Sequence, residues 1–334
     1  MKKHLSRIIV GATLVFGGLI VALAGDSLVF AQSSTNNNTN TLKLSPVRSD
    51  IVVEPGKSKV VTIQVTNLTK SPMTVKPVQN DFIAGDDRGT PALILDEEEY
   101  APTHSLKRFM APLSNVTVAP ESTQDIDLTI NVPASAQAGG YYGAVRIVPV
   151  NPDGTAQVNL NASAASLVLL TVPGDLVERL DLTRFDVVQG EKADAWFQSA
   201  NDLGVSFRFE NQGNVQVGPY GTITVKQGDE VIFENEFNYE QPREVVLPDS
   251  AREWDIPLKN IGSIGYYEVT ALFTYGTKNE TIEVTKTFWV VPWAVIIGAV
   301  VGVLVLIGLI IGIVAFLKSY KRRILRGQRG MRRR

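Results

Sequence analysis

One pattern of strands and turns occurs twice in this 334-residue chain. The segment VAPESTQDIDLTI at residues 118–130 aligns without a gap on VLPDSAREWDIPL at residues 246–258. Downstream, GYYGAVRIV at 140–148 aligns on GYYEVTALF at 265–273, and upstream IQVTN aligns on FRFEN. Three blocks in the same order indicate an internal duplication rather than coincidental β-patterning, so we expect two copies of one folding unit.

Within each copy, apolar and polar residues alternate with the period of a half-buried strand. In DIDLTINV, for example, Ile126 and Leu128 share one face while Asp127 lies on the other. Turn sequences such as EPGK, NPDG and NQGN separate the runs. The pattern predicts an all-β protein with two tandem immunoglobulin-like β-sandwiches, the first over residues 42–172 and the second over residues 173–290.

The first copy is longer than the second. Asn67 and Pro120 are 53 positions apart, whereas the equivalent Asn211 and Pro248 are 37 apart, so about 16 additional residues lie within segment 80–112. Since the second copy completes the same sandwich without them, we expect that the fold does not require them. Loops on a rigid scaffold often carry binding residues.

The inserted segment is therefore the predicted partner-binding surface, because it mixes aromatic, basic and acidic side chains that are common at interfaces. The candidate contact residues are Phe82, Arg88, Asp96, Tyr100, Arg108 and Phe109. Part of it, LILDEEEYA, could also form an edge strand that pairs with another chain. Alternatively, apolar residues such as Leu93, Leu95 and Phe109 merely cover one end of the sandwich.

A long uncharged stretch near the carboxyl end predicts a transmembrane helix. No charged residue occurs between Lys286 and Lys318, and residues 293–317 are apolar or small. At about 1.5 Å per residue, these residues are long enough to cross a hydrocarbon core of about 30 Å. Trp289 and Trp293 lie at its outer margin and are the predicted membrane-interface residues.

The two ends predict a single-pass orientation in the cell membrane. Residues 1–31 have the basic and apolar regions of a signal peptide, with cleavage after Ala24 or Ala31, although an uncleaved anchor is an alternative. Residues 32–41 form a polar spacer that we expect to be disordered. The tail at 318–334 holds nine Lys or Arg and no acid, so it should be cytoplasmic and the ectodomain should lie outside.

The transmembrane segment contains two steps of glycines four residues apart. The first step is Gly298 and Gly302, and the second is Gly308 and Gly312. Small residues at this spacing allow two helices to approach closely, so a weak homodimer through the helix is possible on sequence grounds. Glycine is also common in membrane helices that do not associate.

Composition excludes several classes of function for the ectodomain. Between the signal and the tail, 20 Lys or Arg face 33 Asp or Glu, which disfavours binding to nucleic acid. The chain has no cysteine, so its stability must come from a hydrophobic core rather than disulfides, which favours a bacterial source.

The residues that commonly carry catalysis are scarce. Only His104 remains after removal of the signal, so a Ser-His-Asp triad would have to use it, and no serine lies in a nucleophile-elbow sequence. Without cysteine no Cys/His metal site can be built, and we expect no cofactor and no enzymatic activity. Asp86 and Asp87 leave weak calcium binding open. In each Tyr-Tyr pair, at 141–142 and 266–267, we expect one ring to face the core and bond to the backbone.

The first domain resembles the extracellular domain of bacterial WxL-interacting proteins. The resemblance rests on VVEPGKSKVVTIQVTN, on VAPESTQDIDLTINVP and on AGGYYGAVRIV, and the second domain departs from the pattern. Members of that family are exported, have two domains and are anchored by one carboxyl-terminal helix with a basic tail. The resemblance implies a non-enzymatic scaffold that binds another cell-surface protein or a cell-wall polymer.

Two functions are therefore expected from the sequence. The first is a membrane-anchored scaffold or adhesion protein, which needs no catalytic residues. The second is a subunit or chaperone-like factor of an exported envelope complex, which would offer a sheet edge to its clients. A scaffold should copurify with one partner in fixed ratio, whereas a chaperone should release its clients.

Overall fold

The computed structural model describes residues 41–150 and 163–331. The predicted signal peptide and residues 32–40 of the predicted spacer lie outside this range. Within it, the chain forms β-strands in four sheets, followed by one apolar helix. The predicted all-β class of two immunoglobulin-like sandwiches with a carboxyl-terminal apolar helix is confirmed.

The first sandwich packs a three-stranded sheet against a larger one. Its described strands are β1 (Leu42–Ser45), β2 (Arg48–Val52), β3 (Ser58–Asn67), β4 (Met73–Ala84), β5 (Pro91–Leu93), β6 (Val116–Val118), β7 (Thr123–Asn131), β8 (Gly139–Val150) and β9 (Ala164–Val172). One sheet has the order β1-β3-β7, and the other has the order β2-β9-β8-β4-β5 with β6 also on β4. A single 3₁₀ turn, Lys107–Phe109, lies between β5 and β6.

The second sandwich repeats this plan with a four-stranded and a five-stranded sheet. Its described strands are β10 (Leu180–Gln189), β11 (Lys192–Ala193), β12 (Trp196–Phe197), β13 (Leu203–Asn211), β14 (Tyr220–Gln227), β15 (Glu230–Phe237), β16 (Ser250–Pro257), β17 (Gly265–Tyr275) and β18 (Glu280–Val290). The sheet orders are β11-β10-β13-β16 and β12-β18-β17-β14-β15. Aromatic side chains such as Phe207, Phe209 and Phe273 fill its core.

Equivalent buried asparagines show that the duplication extends to the packing. Asn67 at the end of β3 and Asn211 at the end of β13 are both fully buried. The Asn67 Nδ2 donates to the Val118 carbonyl at 3.2 Å, and the Asn211 Nδ2 donates to the Val246 carbonyl at 2.9 Å. Because Val118 and Val246 are aligned positions, each asparagine fastens its strand to the same turn of its own sandwich.

The strands that follow these turns have the register expected from the alternation. Ile126 on β7 and Trp254 on β16 point into the cores and are 4% and 9% exposed. Asp127 and Asp255 are exposed on the opposite faces. The assignment of inward and outward positions in both strands is therefore confirmed.

The Tyr-Tyr pairs differ from the ungapped alignment by one residue. In β8 the core face carries Tyr141, whose Oη donates to the Gln137 carbonyl at 2.9 Å. In β17 the core face carries Tyr267, the second tyrosine of its pair, whose Oη donates to the Gly262 carbonyl at 3.2 Å. One ring of each pair does face the core, but a one-residue shift turns Tyr142 toward the outer face of its sheet.

The helix α1 (Trp293–Met331) begins two residues after the end of β18. Within Trp293–Lys321, an 18-residue stretch has a mean hydropathy of 3.2, and none of that stretch is buried against the rest of the chain. In length and composition this helix is able to cross a membrane.

Candidate functional site

The turn between β4 and β5 carries the first part of the inserted segment onto the second sandwich. The Asp86 Oδ1 accepts hydrogen bonds from the backbone N–H groups of Arg88 (2.9 Å) and Thr90 (3.0 Å), which fix the turn. Gly89 has a φ of +82°, and a Cβ atom there would collide with the Arg252 guanidinium. The turn therefore requires glycine where it approaches the second sandwich.

Two ion pairs and one backbone hydrogen bond join this turn to the second sandwich. The Asp87 Oδ2 lies 2.8 Å from the Arg208 Nε, and the Arg88 guanidinium pairs with the Asp255 carboxylate. The Glu253 N–H donates to the Asp87 carbonyl at 2.5 Å. Because β16 pairs with β13 on its other side, the turn occupies the outer edge of β16.

The charges in this contact stabilise each other. The hydrogen bond that Arg208 donates to the Asp87 carboxylate raises the pKa of Arg208. Partial burial acts to raise the pKa of Asp255, but hydrogen bonding to Arg88 and Ser206, together with the charges of Arg88 and Arg184, outweighs it, so the pKa of that carboxyl is lowered. Both pairs are partly exposed to solvent, so each contributes modestly to stability by itself.

Apolar side chains extend the contact between the two sandwiches beyond the ion pairs. Phe82, Tyr142, Ala144 and Leu169 form a buried cluster against Val245 and Leu247 of the second sandwich. The Tyr142 Oη donates to the Gln216 Oε1 at 2.9 Å, and burial raises the pKa of this phenol. The outward tyrosine of β8 thus belongs to the junction between the sandwiches.

These contacts place two of the predicted partner-binding residues within the chain's own junction. Phe82 is 4% exposed and Arg88 is held by Asp255. Phe82 is therefore not accessible to another protein in this conformation. The binding role of the segment has to rest on its remaining residues.

The next part of the segment, residues 94–100, forms a surface loop fixed by two buried polar side chains at the middle of β4. The Asn80 Nδ2 donates to the Ile94 carbonyl at 2.7 Å. The Asp81 carboxylate accepts the N–H groups of Ala101 (2.9 Å) and Lys107 (2.8 Å). Asn80 and Asp81 are both fully buried, so these bonds hold the two ends of the loop firmly.

The Lys107 side chain organises the interior of the 94–100 loop. Its ammonium donates to the carbonyls of Glu97 at 2.7 Å and Glu99 at 2.8 Å. The Tyr100 ring lies 4.8 Å from this ammonium and 4.6 Å from the Arg108 guanidinium. The Glu97 carboxylate also pairs with Lys76 at 2.9 Å.

The 94–100 loop presents large side chains to solvent in a fixed conformation. Leu95 is 59% exposed and Tyr100 is 43% exposed, with the exposed Asp96 and Arg108 beside them. The Asp96 Oδ1 accepts the Glu98 N–H at 2.8 Å and so contributes to the turn. Tyr100 and Arg108 thus form one exposed contact, and Leu95 is exposed on the same loop.

The last part of the segment covers the end of the first sandwich. Leu106 is fully buried, Met110 is 8% exposed, and the Phe109 ring packs 4.8 Å from the Tyr141 ring. These residues are packed into the first sandwich, and whether the fold requires the insertion stays a prediction that deletion of the segment would test. For Phe109, the alternative of a covering role fits its packing against Tyr141.

Neither the acids nor the histidine of the segment forms a recognisable metal or catalytic centre. Asp86 caps its own turn and Asp87 pairs with Arg208. Across residues 41–150 and 163–331, no group of three or more His, Asp or Glu side chains is placed to hold a metal ion. The His104 Nδ1 lies 2.6 Å from the Gly140 carbonyl, where it supports the local backbone.

The predicted membrane-facing residues lie at the start and along the face of α1. Trp289 and Trp293 are 51% and 61% exposed and flank the beginning of the helix. Gly298 and Gly302 have open space where a Cβ atom would be, so the described chain leaves that stripe free for a second helix. Their roles at the membrane and in dimerisation stay predictions.

The fold and the junction define a two-sandwich immunoglobulin-like protein followed by one apolar helix. No protein-family model and no curated protein matches the chain. Similar solved structures include the class 5 fimbriae chaperone CfaA, 14% identical over 74% of this chain and 98% of that chain, with a TM-score of 0.39. The E. coli chaperone DraB is 16% identical over 75% of this chain and 98% of that chain, with a TM-score of 0.30.

A third similar structure is the CsuC–CsuE chaperone–tip adhesion subunit complex of Acinetobacter baumannii. It is 12% identical over 73% of this chain and 97% of that chain, with a TM-score of 0.35. The likeness to all three structures is distant, so it assigns no partner to this chain.

Sequence reasoning missed the residues that hold the 94–100 loop. Asn80 and Asp81 lie between the apolar residues Val78 and Phe82 in the buried part of β4, and adjacent polar residues in a buried strand are a signal for side chains that bond to a loop. Lys107 gave no comparable signal, because its role depends on the carbonyl groups that the folded loop turns toward it.

Proposed function

We propose that this chain is a non-enzymatic, membrane-anchored binding protein that holds another envelope protein on the outer side of the cell membrane. The single observation that carries the proposal is the 94–100 loop, which is fixed by buried Asn80 and Asp81 and exposes Leu95 and Tyr100. A loop that is ordered before binding loses little conformational entropy when a partner docks.

The chemistry of the loop supports a protein partner. Tyrosine and arginine are the residue types that most often dominate protein interfaces, and Tyr100 and Arg108 lie side by side. The resemblance to WxL-interacting proteins motivates the choice of another cell-surface protein, with a cell-wall polymer as the second possibility. The apolar helix α1 supplies the anchor, and the basic tail stays in the cytoplasm.

The proposal predicts that Tyr100→Ala weakens partner capture without unfolding the protein. Cells that express the chain are crosslinked intact, and the proteins bound to it are quantified by mass spectrometry. Loss of a central tyrosine at an interface costs about 2 kcal/mol, so we expect about thirtyfold weaker binding. Tyr239→Ala is the matched control, because Tyr239 on the second sandwich is exposed to a similar degree, 46%.

Equal capture by the wild type and by Tyr100→Ala would contradict the proposed surface. Retention of the fold is checked by the thermal unfolding temperature of both variants, since neither side chain belongs to a core.

A second candidate function is that of a chaperone-like factor of an exported complex. It is favoured by β15, which pairs only with β14 among the described residues, so the outer edge of Glu230–Phe237 can accept a client strand. Exposed acids along that strand, such as Glu230 and Glu234, act against non-specific pairing. Exchange of bound clients, in place of a fixed ratio to one partner, would favour this candidate.

A further inference from the structure

A row of exposed aromatic side chains crosses three strands at the end of the second sandwich nearest to α1. Trp196 on β12 pairs in register with Trp289 on β18, which in turn pairs with Tyr266 on β17. The Tyr266 and Trp289 ring centres are 4.7 Å apart. We call Trp196, Tyr266 and Trp289 the aromatic row.

The aromatic row lies on the outer face of its sheet and is not part of the core. Its members are 49%, 44% and 51% exposed, whereas the alternate residues Phe197, Tyr267 and Phe288 are buried. Ile264, just before β17, adds another apolar side chain that is 53% exposed. Single exposed apolar residues are common, but a contiguous group of this size on one face indicates a contact surface.

The same face becomes polar one step away from the helix. In the next outward-facing position of the paired strands, Glu268 on β17 lies opposite Thr287 on β18. Farther along, the Thr270 and Thr285 hydroxyls are hydrogen-bonded at 3.0 Å. The exposed aromatic rings on this face are thus confined to the last row, and Leu272, farther along β17, is a single exposed apolar residue apart from them.

The connection to the helix limits what can cover this row. Only Val291 and Pro292 separate the end of β18 from Trp293, the first residue of α1. From Val290 to Trp293 the chain makes three Cα–Cα steps, which span at most about 11 Å, so the row is held close to the headgroup region when the helix crosses the bilayer. The Trp196 Nε1 donates to the Val291 carbonyl at 3.3 Å, which ties its ring to this connection.

We infer that the aromatic row is a docking surface for the lipid headgroup layer, which seats the second sandwich on the membrane. Tryptophan and tyrosine prefer this layer because each ring has an apolar body and a polar group. The sequence analysis assigned an interface position to Trp289 and Trp293 alone, whereas the sheet adds Trp196, 93 positions before Trp289, and Tyr266. The inference rests on the proposed membrane anchor.

The absence of cysteine from the chain allows a single spin label to be placed by one substitution. The full chain is reconstituted in phosphatidylcholine nanodiscs with a label at Ile264→Cys, Thr281→Cys or Leu304→Cys. Accessibility of each label to dissolved oxygen and to a water-soluble nickel chelate is then measured. We expect the label at 264 to lose nickel accessibility as lipid headgroups surround it, and the label at 281, at the far end of β18, to remain aqueous.

The Leu304 label separates failure of this inference from failure of the anchor. If that label does not report the bilayer core, the proposed anchor is wrong. If it does, and the label at 264 is as accessible to nickel as the label at 281, the docking surface is wrong while the anchor stands.

A variant test then assigns the seating to the aromatic row itself. In Ile264→Cys with Trp196→Ser and Tyr266→Ser, we expect nickel accessibility at 264 to rise to the aqueous level. Leu272→Ser, on the same face of β17 but farther from the helix and 47% exposed, is the control that should change nothing. A label that stays shielded in the folded double variant would overturn the role of the row.

Discussion

At the scale of single residues, the two copies of the repeat share inward and outward positions in aligned strands but differ in the contacts of their outward residues. Asp127 accepts a hydrogen bond from the Thr62 hydroxyl at 2.7 Å, within its own sandwich. The equivalent Asp255 pairs with Arg88 of the other sandwich. The alignment identifies these aspartates as equivalent and outward-facing, but their partners follow from the arrangement of the sandwiches.

The inward positions of the repeat should dominate the stability of each sandwich. Ile126→Ala and Trp254→Ala should each cost about 2–5 kcal/mol, because each removes a buried side chain and leaves a cavity. Asp127→Ala is the control from the same strand as Ile126 and should cost less than about 1 kcal/mol. Chemical denaturation of the full chain in detergent measures these losses, and equal effects of Ile126→Ala and Asp127→Ala would refute the register.

At the scale of elements, the sequence was most informative where the pattern was local. Alternation located the strands, and the spacing between Asn67 and Pro120 located the insertion. The alignment failed by one residue at the Tyr-Tyr pairs, because strands β8 and β17 enter their sheets at positions that differ by one residue. The similarity of the two Tyr-Tyr sequences does not reveal this one-residue shift. The shift is the reason why Tyr142 faces the junction between the sandwiches.

The junction itself could not be predicted from the sequence. Arg88 and Asp255 are 167 positions apart, and nothing in either local pattern indicates the other. The predicted contact segment has three consecutive parts. The first contacts the edge of β16, the second forms the 94–100 loop, and the third covers the end of the first sandwich. The comparison of the two copies identifies the additional residues, but it does not show which of them contact β16, which form the 94–100 loop and which cover the first sandwich.

The contact between the turn at residues 86–90 and the edge of β16 should be measurable by hydrogen exchange. The Glu253 amide is protected by the Asp87 carbonyl, and Arg88→Ala should lower its protection factor because the turn loses its ion pair with Asp255. Asp127→Ala, at the equivalent strand position of the first sandwich, should leave it unchanged. Unchanged protection in Arg88→Ala would show that the turn is held without the ion pair.

The stability of this contact between the turn and β16 should decrease at low pH. The folded pKa of Asp255 lies below its ordinary value of 3.8, so the stabilisation is complete above that value and is lost as the pH falls through the lowered pKa. The protection factor of the Glu253 amide should therefore stay constant from neutral pH to about 4 and decrease below it. In Arg88→Ala this dependence should be weaker.

At the scale of the whole molecule, a polar and apolar junction joins the two sandwiches, and a helix follows closely after the second. The junction lets the first sandwich present its loop in a defined direction relative to the second. The short connection between β18 and α1 gives the second sandwich a defined height above the bilayer once the helix is inserted. Partner binding by the first sandwich and anchoring by α1 would thus be properties of one connected body.

The central claim is that a partner docks on the 94–100 loop of the ectodomain, and photo-crosslinking on intact cells tests it most directly. A photoreactive amino acid is placed at Leu95 or, as the control, at Val231 on the free edge of β15, which is 48% exposed. The account predicts one dominant adduct from position 95, in a fixed ratio to the chain, and little from position 231. Several adducts from position 231 with none from position 95 would contradict the account and favour strand addition at the β15 edge.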